Sequence, residues 1–396
     1  MCIRDRDAAR EKGRSVTYAK GFSMENDAMT EQELEKALRT AAEADVAVIF
    51  AGLPEIFESE GYDRTSMKLP KCQDRLIEEV LKVQPNVVVV LHNGSPVELP
   101  WADRVSAILE MYLGGQGVGE ACDWLLFGEA NPSGRLAETF PYRLEDNPSY
   151  LHFPGNGKRV LYGEDIFVGY RYYDTKKVPV RYAFGHGLSY TEFTYGDLTL
   201  SSAQMTDEDI LTVSLKVKNS GKTEGKEVVQ LYVADLCGTP ERPVKELKGF
   251  AKVHLLPGEE KTVSMEISAR NLSYYEERLG DWYAPSGTYR ILIGHASDDI
   301  RLHADIVFKT KKKLPLRVDF TTTFGELLDH TKTAPVITEL LAPLAAAAAS
   351  AEGMSDEYKK LGEQVIREMP LKFLLGQMPG EQVEQLIGQL NCLLAQ

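Results

Sequence analysis

A short apolar stretch, Asp45-Val-Ala-Val-Ile-Phe-Ala51, sets the pattern of the N-terminal part of the chain, because it is rich in β-branched residues and uncharged after its first residue. Two further apolar runs follow, at Val87 to Leu91 and at Ser106 to Tyr112. Strands that are apolar along their whole length are covered on both faces, which is typical of a parallel sheet between helices.

Amphipathic segments separate these runs. Thr30 and Glu33 form a capping box ahead of apolar residues at helical spacing. Lys71 to Val83 has one apolar face, and Gly119 to Phe127 is predicted as a further helix. Strands that alternate with helices predict an α/β domain with a parallel sheet, which we place at residues 1–143.

The pattern changes after a connector at residues 144–196, which is rich in Tyr, Gly and Pro and is predicted to pack on the α/β domain. Leu211-Thr-Val-Ser-Leu-Lys-Val217 alternates apolar and polar residues, as half-buried strands do. Turn signals such as Asn219-Ser-Gly221 separate it from similar segments. Residues 197–309 are therefore predicted to form an all-β sandwich. The similar segments are Val228 to Val233, Lys261 to Ile267 and Gly287 to Ile293.

The last part of the chain, residues 310–396, has helical periodicity and is predicted to be a small helical extension. Proline or glycine residues at positions 335, 353, 370 and 379 are expected to break it into pieces. The predicted pieces are Phe324 to Leu328, Val336 to Ala348, Met354 to Glu368 and Glu381 to Leu394.

Composition excludes several classes of protein. The 396 residues carry 45 Lys and Arg against 59 Asp and Glu, a net charge of −14 that argues against nucleic-acid binding. No apolar run reaches the ~18–20 residues of a membrane span. The five cysteines lie far apart without a CxxC pair, so we expect reduced, mostly buried thiols, no zinc site and a cytoplasmic protein. They are Cys2, Cys72, Cys122, Cys237 and Cys392.

Ligands of open α/β sheets bind beyond the carboxyl ends of the strands, so the loop after the first strand is the first place to look for a site. It reads Gly52-Leu-Pro-Glu-Ile-Phe-Glu-Ser-Glu-Gly-Tyr-Asp-Arg64 and holds four carboxylates, one arginine and two aromatic residues. Crowded carboxylates raise each other's pKa and aromatic walls desolvate them, as a general acid requires. The composition alone also fits an exposed acidic loop.

Two further stretches near the same edge of the sheet are candidates for a site. Leu113 to Gly119 is rich in glycine, but it lacks the phosphate-binding spacing and a lysine, which favours a tight strand-to-helix turn. His92-Asn-Gly-Ser95 offers side-chain donors at the same edge of the sheet. No G-x-S-x-G nucleophile turn occurs, and the seven histidines are scattered. We therefore predict neither a metal site nor a cofactor.

The loop at Glu58-Ser-Glu-Gly-Tyr-Asp-Arg64 closely resembles the acid/base loop of glycoside hydrolase family 3, which includes β-glucosidases and β-xylosidases. The resemblance covers about residues 40–308. It continues through Tyr112-Leu-Gly-Gly-Gln-Gly-Val-Gly-Glu-Ala121, Gly128-Glu-Ala-Asn-Pro-Ser-Gly-Arg-Leu136, Gly169-Tyr-Arg-Tyr-Tyr-Asp174, Phe184-Gly-His-Gly-Leu-Ser-Tyr190, Glu246-Leu-Lys-Gly-Phe250 and Leu256-Pro-Gly-Glu259.

The resemblance implies a barrel domain, then an α/β sandwich domain, then a fibronectin type III-like domain, with a helical extension as in some bacterial members. No barrel is found in this sequence, and the sandwich domain is partial, so we expect the chain to be the C-terminal part of a longer enzyme. The family's nucleophile, an Asp on the barrel, would then lie outside this chain, and this chain alone would be inactive.

The resemblance also implies a retaining β-glycosidase that hydrolyses terminal non-reducing β-D-glycosyl residues, with glucose expected first and xylose as the alternative. The acid/base role falls on Glu60. Glu58 is the alternative, because two positions earlier on an extended loop it would point to the same side. Asp63 and Arg64 are expected to hold the loop together.

The sequence leaves the roles of several aromatic residues open. Phe57 and Tyr62 either form part of a sugar platform or pack within the loop. Four aromatic residues of the β-sandwich region are expected in its core, namely Tyr274, Tyr275, Trp282 and Tyr283. The partners implied are an oligo- or aryl-β-glycoside and the barrel domain, with no nucleic acid and no membrane; homo-oligomerisation is left open. The competing hypothesis is a non-catalytic carbohydrate- or partner-binding protein of the same architecture.

Overall fold

The computed structural model describes residue 7 and residues 9–239, 241–349 and 355–395. The chain divides into two compact units, Met1–Ser273 with Ala284–Lys311 and Tyr274–Tyr283 with Lys312–Gln396. The finer domain boundaries at residues 143, 196 and 309 stay a prediction. No helix among the described residues is both long enough and apolar enough to cross a membrane.

The first unit begins with an α/β region whose sheet is parallel, as predicted. Its three strands lie in the order β1-β2-β3, with Ala47 opposite Val87 and Val88 opposite Ala107. Strand β2 is almost entirely buried, which explains its unbroken apolar sequence. The elements are α1 (Glu31–Ala42), β1 (Ala47–Gly52), α2 (Lys71–Val80), β2 (Val87–His92), β3 (Ala107–Glu110) and α3 (Val118–Leu126).

Local sequence explains how α1 starts and which face it buries. The Thr30 hydroxyl accepts a hydrogen bond from the Glu33 N–H at 3.2 Å, and the Glu33 carboxylate accepts one from the Thr30 N–H at 3.0 Å. This reciprocal pair satisfies N–H groups that the first turn leaves without partners. Leu34, Ala37 and Ala41 then face the core at helical spacing.

The connector contains more regular structure than the sequence indicated. Tyr170–Lys176 forms helix α4, and Val180–Tyr182 forms β5, which pairs antiparallel with β4 at Phe140–Pro141. A single 3₁₀ turn covers Leu144–Asp146. These elements are too short to produce a readable periodicity, which is why the sequence indicated little regular structure there.

The β-rich region that follows has two sheets with one shared core, and this confirms the predicted all-β class. The sheets have the strand orders β10-β9-β14-β15-β7 and β11-β8-β6, and all pairs are antiparallel except β7 with β15. Alternate residues of β8, from Leu211 to Val217, are buried. The strands are β6 (Phe193–Leu200), β7 (Gln204–Thr206), β8 (Ile210–Asn219), β9 (Gly225–Asp235), β10 (Glu246–Leu255), β11 (Glu260–Ser268), β14 (Gly287–Gly294) and β15 (Ile300–Lys309), with a short helix α5 at Ala269–Leu272.

The second unit contains a hairpin of β12 (Tyr274–Glu276) and β13 (Asp281–Tyr283). The expectation that all four hairpin aromatics are core residues is wrong for two of them. Tyr275 and Trp282 lie opposite each other in the register and are 53% and 38% exposed. Because strand residues alternate between faces, this pair occupies the solvent side while Tyr274 and Tyr283 are partly buried.

The rest of the second unit is helical, as predicted. Pro335 does not break a helix, because it lies in the first turn, where its missing N–H costs no hydrogen bond. The predicted start at Met354 and the break at Gly353 lie outside the described residues. The helices are α6 (Phe324–Asp329), α7 (Ala334–Ala349), α8 (Asp356–Glu368), a 3₁₀ helix at Leu371–Gly376, and α9 (Gly380–Ala395).

The described cysteines are Cys72, Cys122, Cys237 and Cys392, and no disulfide joins any two of them. Cys72 and Cys122 are buried, Cys237 is partly buried and Cys392 is exposed. The remaining cysteine, Cys2, lies outside the described residues. The prediction of buried thiols holds for Cys72 and Cys122 and not for Cys237 and Cys392.

Candidate active site

The loop singled out from the sequence leaves the carboxyl end of β1 at a fixed point. The buried side chain of Gln73 accepts a hydrogen bond from the Gly52 N–H at 2.8 Å and donates one to the Gly52 carbonyl at 2.9 Å. Gly52 also has a φ of +154°, and a Cβ there would lie 2.0 Å from the His92 carbonyl oxygen. Strand β1 therefore ends in a position that only glycine fits.

Glu58 is the carboxylate of this loop that binds the rest of the sheet edge. Its Oε2 accepts a hydrogen bond from the Gly94 N–H at 2.6 Å, and its Oε1 accepts one from the Ser95 hydroxyl at 2.5 Å. Gly94 and Ser95 belong to the turn that follows β2. The loop after the first strand is thus tied to the loop after the second strand, at the carboxyl edge of the sheet.

Arg64 contacts the same turn from the other end of the loop. Its Nη1 donates to the Ser95 hydroxyl at 2.6 Å and to the Pro96 carbonyl at 3.3 Å, and it lies 3.5 Å from Glu58 Oε1. Both side chains are largely shielded, with 18% of Arg64 and 22% of Glu58 exposed. The predicted loop-holding contacts are made by Arg64, whereas Asp63 is exposed and makes no side-chain hydrogen bond or ion pair within the described part of the chain.

Glu60 lies between these anchors and faces solvent. Glu60 is exposed, and within the described ranges its carboxylate makes neither a hydrogen bond nor an ion pair. Phe57 is partly buried, and its N–H donates to the Pro54 carbonyl at 2.8 Å. Tyr62 is exposed, with its hydroxyl donating to the Glu55 carbonyl. The structure therefore places one carboxylate in the anchoring network and another out in the open.

Two carboxylates that the sequence reasoning missed are partly buried near these loop residues. The pKa of Glu110 is raised to about 7, mainly by burial and in addition by the charges of Glu138 and Glu58. The hydrogen bonds from the Tyr112 N–H and the Asn93 side chain act in the opposite direction. Burial also raises the pKa of Glu138 to about 6, with the Glu58 charge adding to the rise and Arg64 opposing it. Protonatable groups of this kind cluster at functional sites.

One signal in the sequence could have located Glu110. It closes the apolar stretch of β3, so it is a charged residue at the carboxyl end of a partly buried strand. Glu138 offers no comparable signal, since it lies in an irregular segment before β4. Its proximity to the other carboxylates follows from the path of the chain across the sheet edge.

The two other candidate stretches follow the carboxyl ends of β2 and β3. Gly114 lies against the first residue of α3, since a Cβ there would be 2.5 Å from the Val118 side chain, so the glycine-rich stretch is a tight strand-to-helix turn. His92 and Asn93 are buried, and burial lowers the pKa of His92. Among the described residues, no three His, Cys, Asp or Glu side chains converge in a way that could hold a metal ion.

The arrangement has a definite chemical capacity. A carboxylate with no protein partner is available to give a proton to a bound ligand and to take one back, provided a second surface delivers that ligand. A carboxylate whose two oxygens each accept a hydrogen bond from the protein is instead held in place. The first description fits Glu60 and the second fits Glu58.

Comparisons with known proteins agree with the resemblance noted in the sequence. Residues 6–190 match the model of the Glycosyl hydrolase family 3 C-terminal domain, and residues 227–297 match the Fibronectin type III-like domain. Thermostable beta-glucosidase B of Acetivibrio thermocellus is 46% identical over 381 residues, which cover 95% of this chain and 50% of that protein.

Solved structures show the same relationship. The Bifidobacterium adolescentis GH3 beta-glucosidase superposes with a TM-score of 0.77 at 37% identity, covering 84% of this chain and 49% of that one. The beta-glucosidase of Kluyveromyces marxianus in complex with glucose superposes with a TM-score of 0.67 at 42% identity, covering 70% of this chain and 33% of that one.

These matches are extensive on this chain and partial on its relatives. The chain spans about half the length of the Acetivibrio thermocellus and Bifidobacterium adolescentis enzymes and about a third of the Kluyveromyces marxianus enzyme. Within that span the match includes the parallel sheet, the loop with Glu58 and Glu60, and the β-rich region. The chain carries the C-terminal domain of glycoside hydrolase family 3, followed by the fibronectin type III-like domain.

Proposed function

We propose that this chain supplies the acid/base carboxylate of a retaining β-glycosidase, and that Glu60 is that carboxylate. The observation that carries the proposal is the exposure of Glu60 at the carboxyl edge of a parallel sheet, without a partner in the described residues. In the first step Glu60 protonates the leaving glycosidic oxygen, and in the second it deprotonates the water that releases the sugar.

The contacts of Glu58 are the reason for preferring Glu60. An acid/base must exchange its proton with substrate and water, so its oxygens cannot both be committed to the protein. Both oxygens of Glu58 accept hydrogen bonds, at 2.6 Å from Gly94 and 2.5 Å from Ser95. Those contacts support an anchoring role for Glu58 and leave Glu60 as the carboxylate that a substrate can reach.

The second carboxylate of the reaction comes from outside this chain. A retaining glycosidase needs a nucleophile about 5–5.5 Å from the acid/base. The resemblance to glycoside hydrolase family 3 implies that the nucleophile is an Asp on a barrel domain. The chain spans about half the length of its Acetivibrio thermocellus relative. Substrates are oligo- or aryl-β-glycosides, with glucose as the first choice because relatives are named beta-glucosidases, and xylose as the alternative.

The acid role of Glu60 is tested by varying the leaving group in an enzyme that joins this chain to a family 3 barrel. Glu60→Ala should reduce turnover of an alkyl β-glucoside by roughly 10²–10⁴-fold, since that leaving group needs a proton. Formation of the glycosyl-enzyme from 2,4-dinitrophenyl β-glucoside should change far less, because that leaving group departs as an anion. An equal loss on both substrates would remove Glu60 from the acid role.

The need for a second carboxylate is tested with the pure chain. Without the nucleophile it should not hydrolyse aryl β-glucosides, because neither glycosylation nor release of the sugar has a reaction partner for Glu60. Turnover by the pure chain that survives Glu60→Gln would contradict the proposal. The matched control is the longer enzyme assayed under the same conditions.

A further inference from the structure

The segment that carries Glu60 is short and is held at both ends by one turn. Glu58 binds the Gly94 N–H and the Ser95 hydroxyl, and Arg64 binds the same hydroxyl and the Pro96 carbonyl. Residues 59–63 therefore form a span between Glu58 and Arg64, and the side chains of both residues bind the turn that follows β2. Any change in that turn changes where the span projects.

Serine at position 95 joins the two anchors directly. Its hydroxyl donates to Glu58 Oε1 at 2.5 Å and accepts from Arg64 Nη1 at 2.6 Å, so its single proton has a defined direction. Charge assistance strengthens both bonds, since one partner is an anion and the other a cation. The hydroxyl thereby couples the positions of the two ends of the span.

The main chain at Gly94 lies close to the Glu58 carboxylate. A Cβ on Gly94 would lie 3.1 Å from Oε2 and 3.2 Å from Cδ of Glu58. The carboxylate is thus packed directly against the main chain of the turn after β2. A Cβ at position 94 would therefore require the Glu58 carboxylate to shift.

We propose that Glu58 is a positioning residue of the active site: its carboxylate, seated on Gly94 and Ser95, holds the loop so that Glu60 projects from the sheet edge towards the bound glycoside. This inference rests on the proposed acid/base role of Glu60. It adds that the rate of proton delivery depends on a second carboxylate that never touches the reacting atoms.

The order of the loop can be measured on this chain alone. Glu58→Ala should increase amide hydrogen exchange across residues 57–64, because the span loses one of its two anchors. Glu55→Ala is the matched control, since Glu55 is an exposed carboxylate of the same loop whose side chain makes no hydrogen bond or ion pair within the described residues. Equal exchange in the two variants would overturn the anchoring role.

The catalytic consequence is measured in the enzyme joined to its barrel. Glu58→Ala and Ser95→Ala should each lower kcat on an alkyl β-glucoside by about 10–100-fold, the size of effect that a misplaced catalytic group produces. Their KM values and their formation of glycosyl-enzyme from 2,4-dinitrophenyl β-glucoside should stay close to those of the parent enzyme. Ser95→Ala gives an independent reading if Glu58→Ala folds poorly.

The pH profile separates positioning from direct proton transfer. The basic limb of kcat/KM reports the group that must be protonated, so Glu60→Ala should abolish that limb while Glu58→Ala retains it at a lower plateau. Loss of the limb in Glu58→Ala alone would make Glu58 the acid and overturn both proposals. Parent-like kinetics in Glu58→Ala and Ser95→Ala, with Glu60→Ala impaired, would overturn only the positioning role.

Discussion

The first unit holds two clusters of polar and charged side chains that differ in the balance of carboxylates and cations. In one group, Glu227 is fully buried and bound by Arg135 Nη2, His295 Nδ1 and the Tyr195 hydroxyl, each at 2.7 Å. Burial by itself would raise the pKa of Glu227, but the His295 hydrogen bond, the Arg135 charge and the Tyr195 hydroxyl hold it below its ordinary value. We call these four residues the Glu227 cluster.

In the other group, carboxylates outnumber the cations. Glu110 and Glu138 share the sheet edge with Glu58, and Arg64 is the cation whose charge acts on this group. The pKa values of Glu110 and Glu138 rise to about 7 and about 6. We call these four residues the Glu110 cluster. Burial acts on both clusters in the same direction, so the number and placement of partners decide whether a buried carboxylate stays ionised.

The comparison predicts the largest effect in the Glu227 cluster. Arg135→Met removes the guanidinium from a carboxylate that has no access to solvent, and should lower the free energy of unfolding by about 3–5 kcal/mol, measured by urea denaturation. The matched control is Arg143→Met, because Arg143 is exposed and pairs with Asp146 at 2.9 Å. The control should cost less than about 1 kcal/mol. Equal losses would mean that burial does not distinguish the two ion pairs.

A smaller effect is expected from removing a carboxyl of the Glu110 cluster. Because the pKa of Glu110 is higher in the folded chain than its ordinary 4.5, the folded chain binds the proton more tightly than the unfolded chain does. Stability should therefore fall as pH rises from about 4.5 to about 7, and Glu110→Gln should remove part of this fall.

The magnitude follows from the size of that pKa difference. We expect Glu110→Gln to remove about 1–2 kcal/mol of the fall in the free energy of unfolding over this pH range. This is less than the full pKa difference implies, because Glu110 is partly exposed and water screens its charge. Urea denaturation between pH 4.5 and 8 measures it, with the exposed Glu43→Gln as control. Parallel curves for Glu110→Gln and the parent chain would contradict the assignment of a proton to Glu110.

The smallest predicted effect concerns Arg64, the cation of the Glu110 cluster. Arg64 opposes the rise in the pKa of Glu138, so Arg64→Met should raise that pKa further, by up to about one unit. Carbon-13 NMR of the side-chain carboxyl measures the titration directly. An unchanged or lowered pKa would show that Arg64 does not govern the charge balance of this cluster.

The fold was largely predictable because its signals are local. The continuous apolar runs of β1 and β2 and the alternation from Leu211 to Val217 each arise from neighbours along the chain. The short elements of the connector were missed, and the solvent face of Tyr275 and Trp282 was misassigned, because in a three-residue strand the pattern does not reveal which face is covered.

The site was predictable only in part, for a different reason. The loop motif identified Glu58 and Glu60 together, but two residues apart on one loop they look equivalent in sequence. What separates them is the turn after β2, whose Gly94 N–H and Ser95 hydroxyl donate to Glu58 and not to Glu60. Glu138 escaped notice because its neighbours come from other segments, and such long-range contacts leave no local periodicity.

The central claim is that Glu60 exchanges the proton while Glu58 holds the loop, and chemical rescue by azide tests it most directly. In the enzyme joined to its barrel, Glu60→Ala should accumulate glycosyl-enzyme from 2,4-dinitrophenyl β-glucoside, and azide should accelerate turnover and yield β-glucosyl azide, because azide attacks without a general base. Glu58→Ala retains Glu60 in a less precise position, so azide should accelerate its turnover far less than that of Glu60→Ala and yield little azide product. Rescue of Glu58→Ala in place of Glu60→Ala would contradict the account.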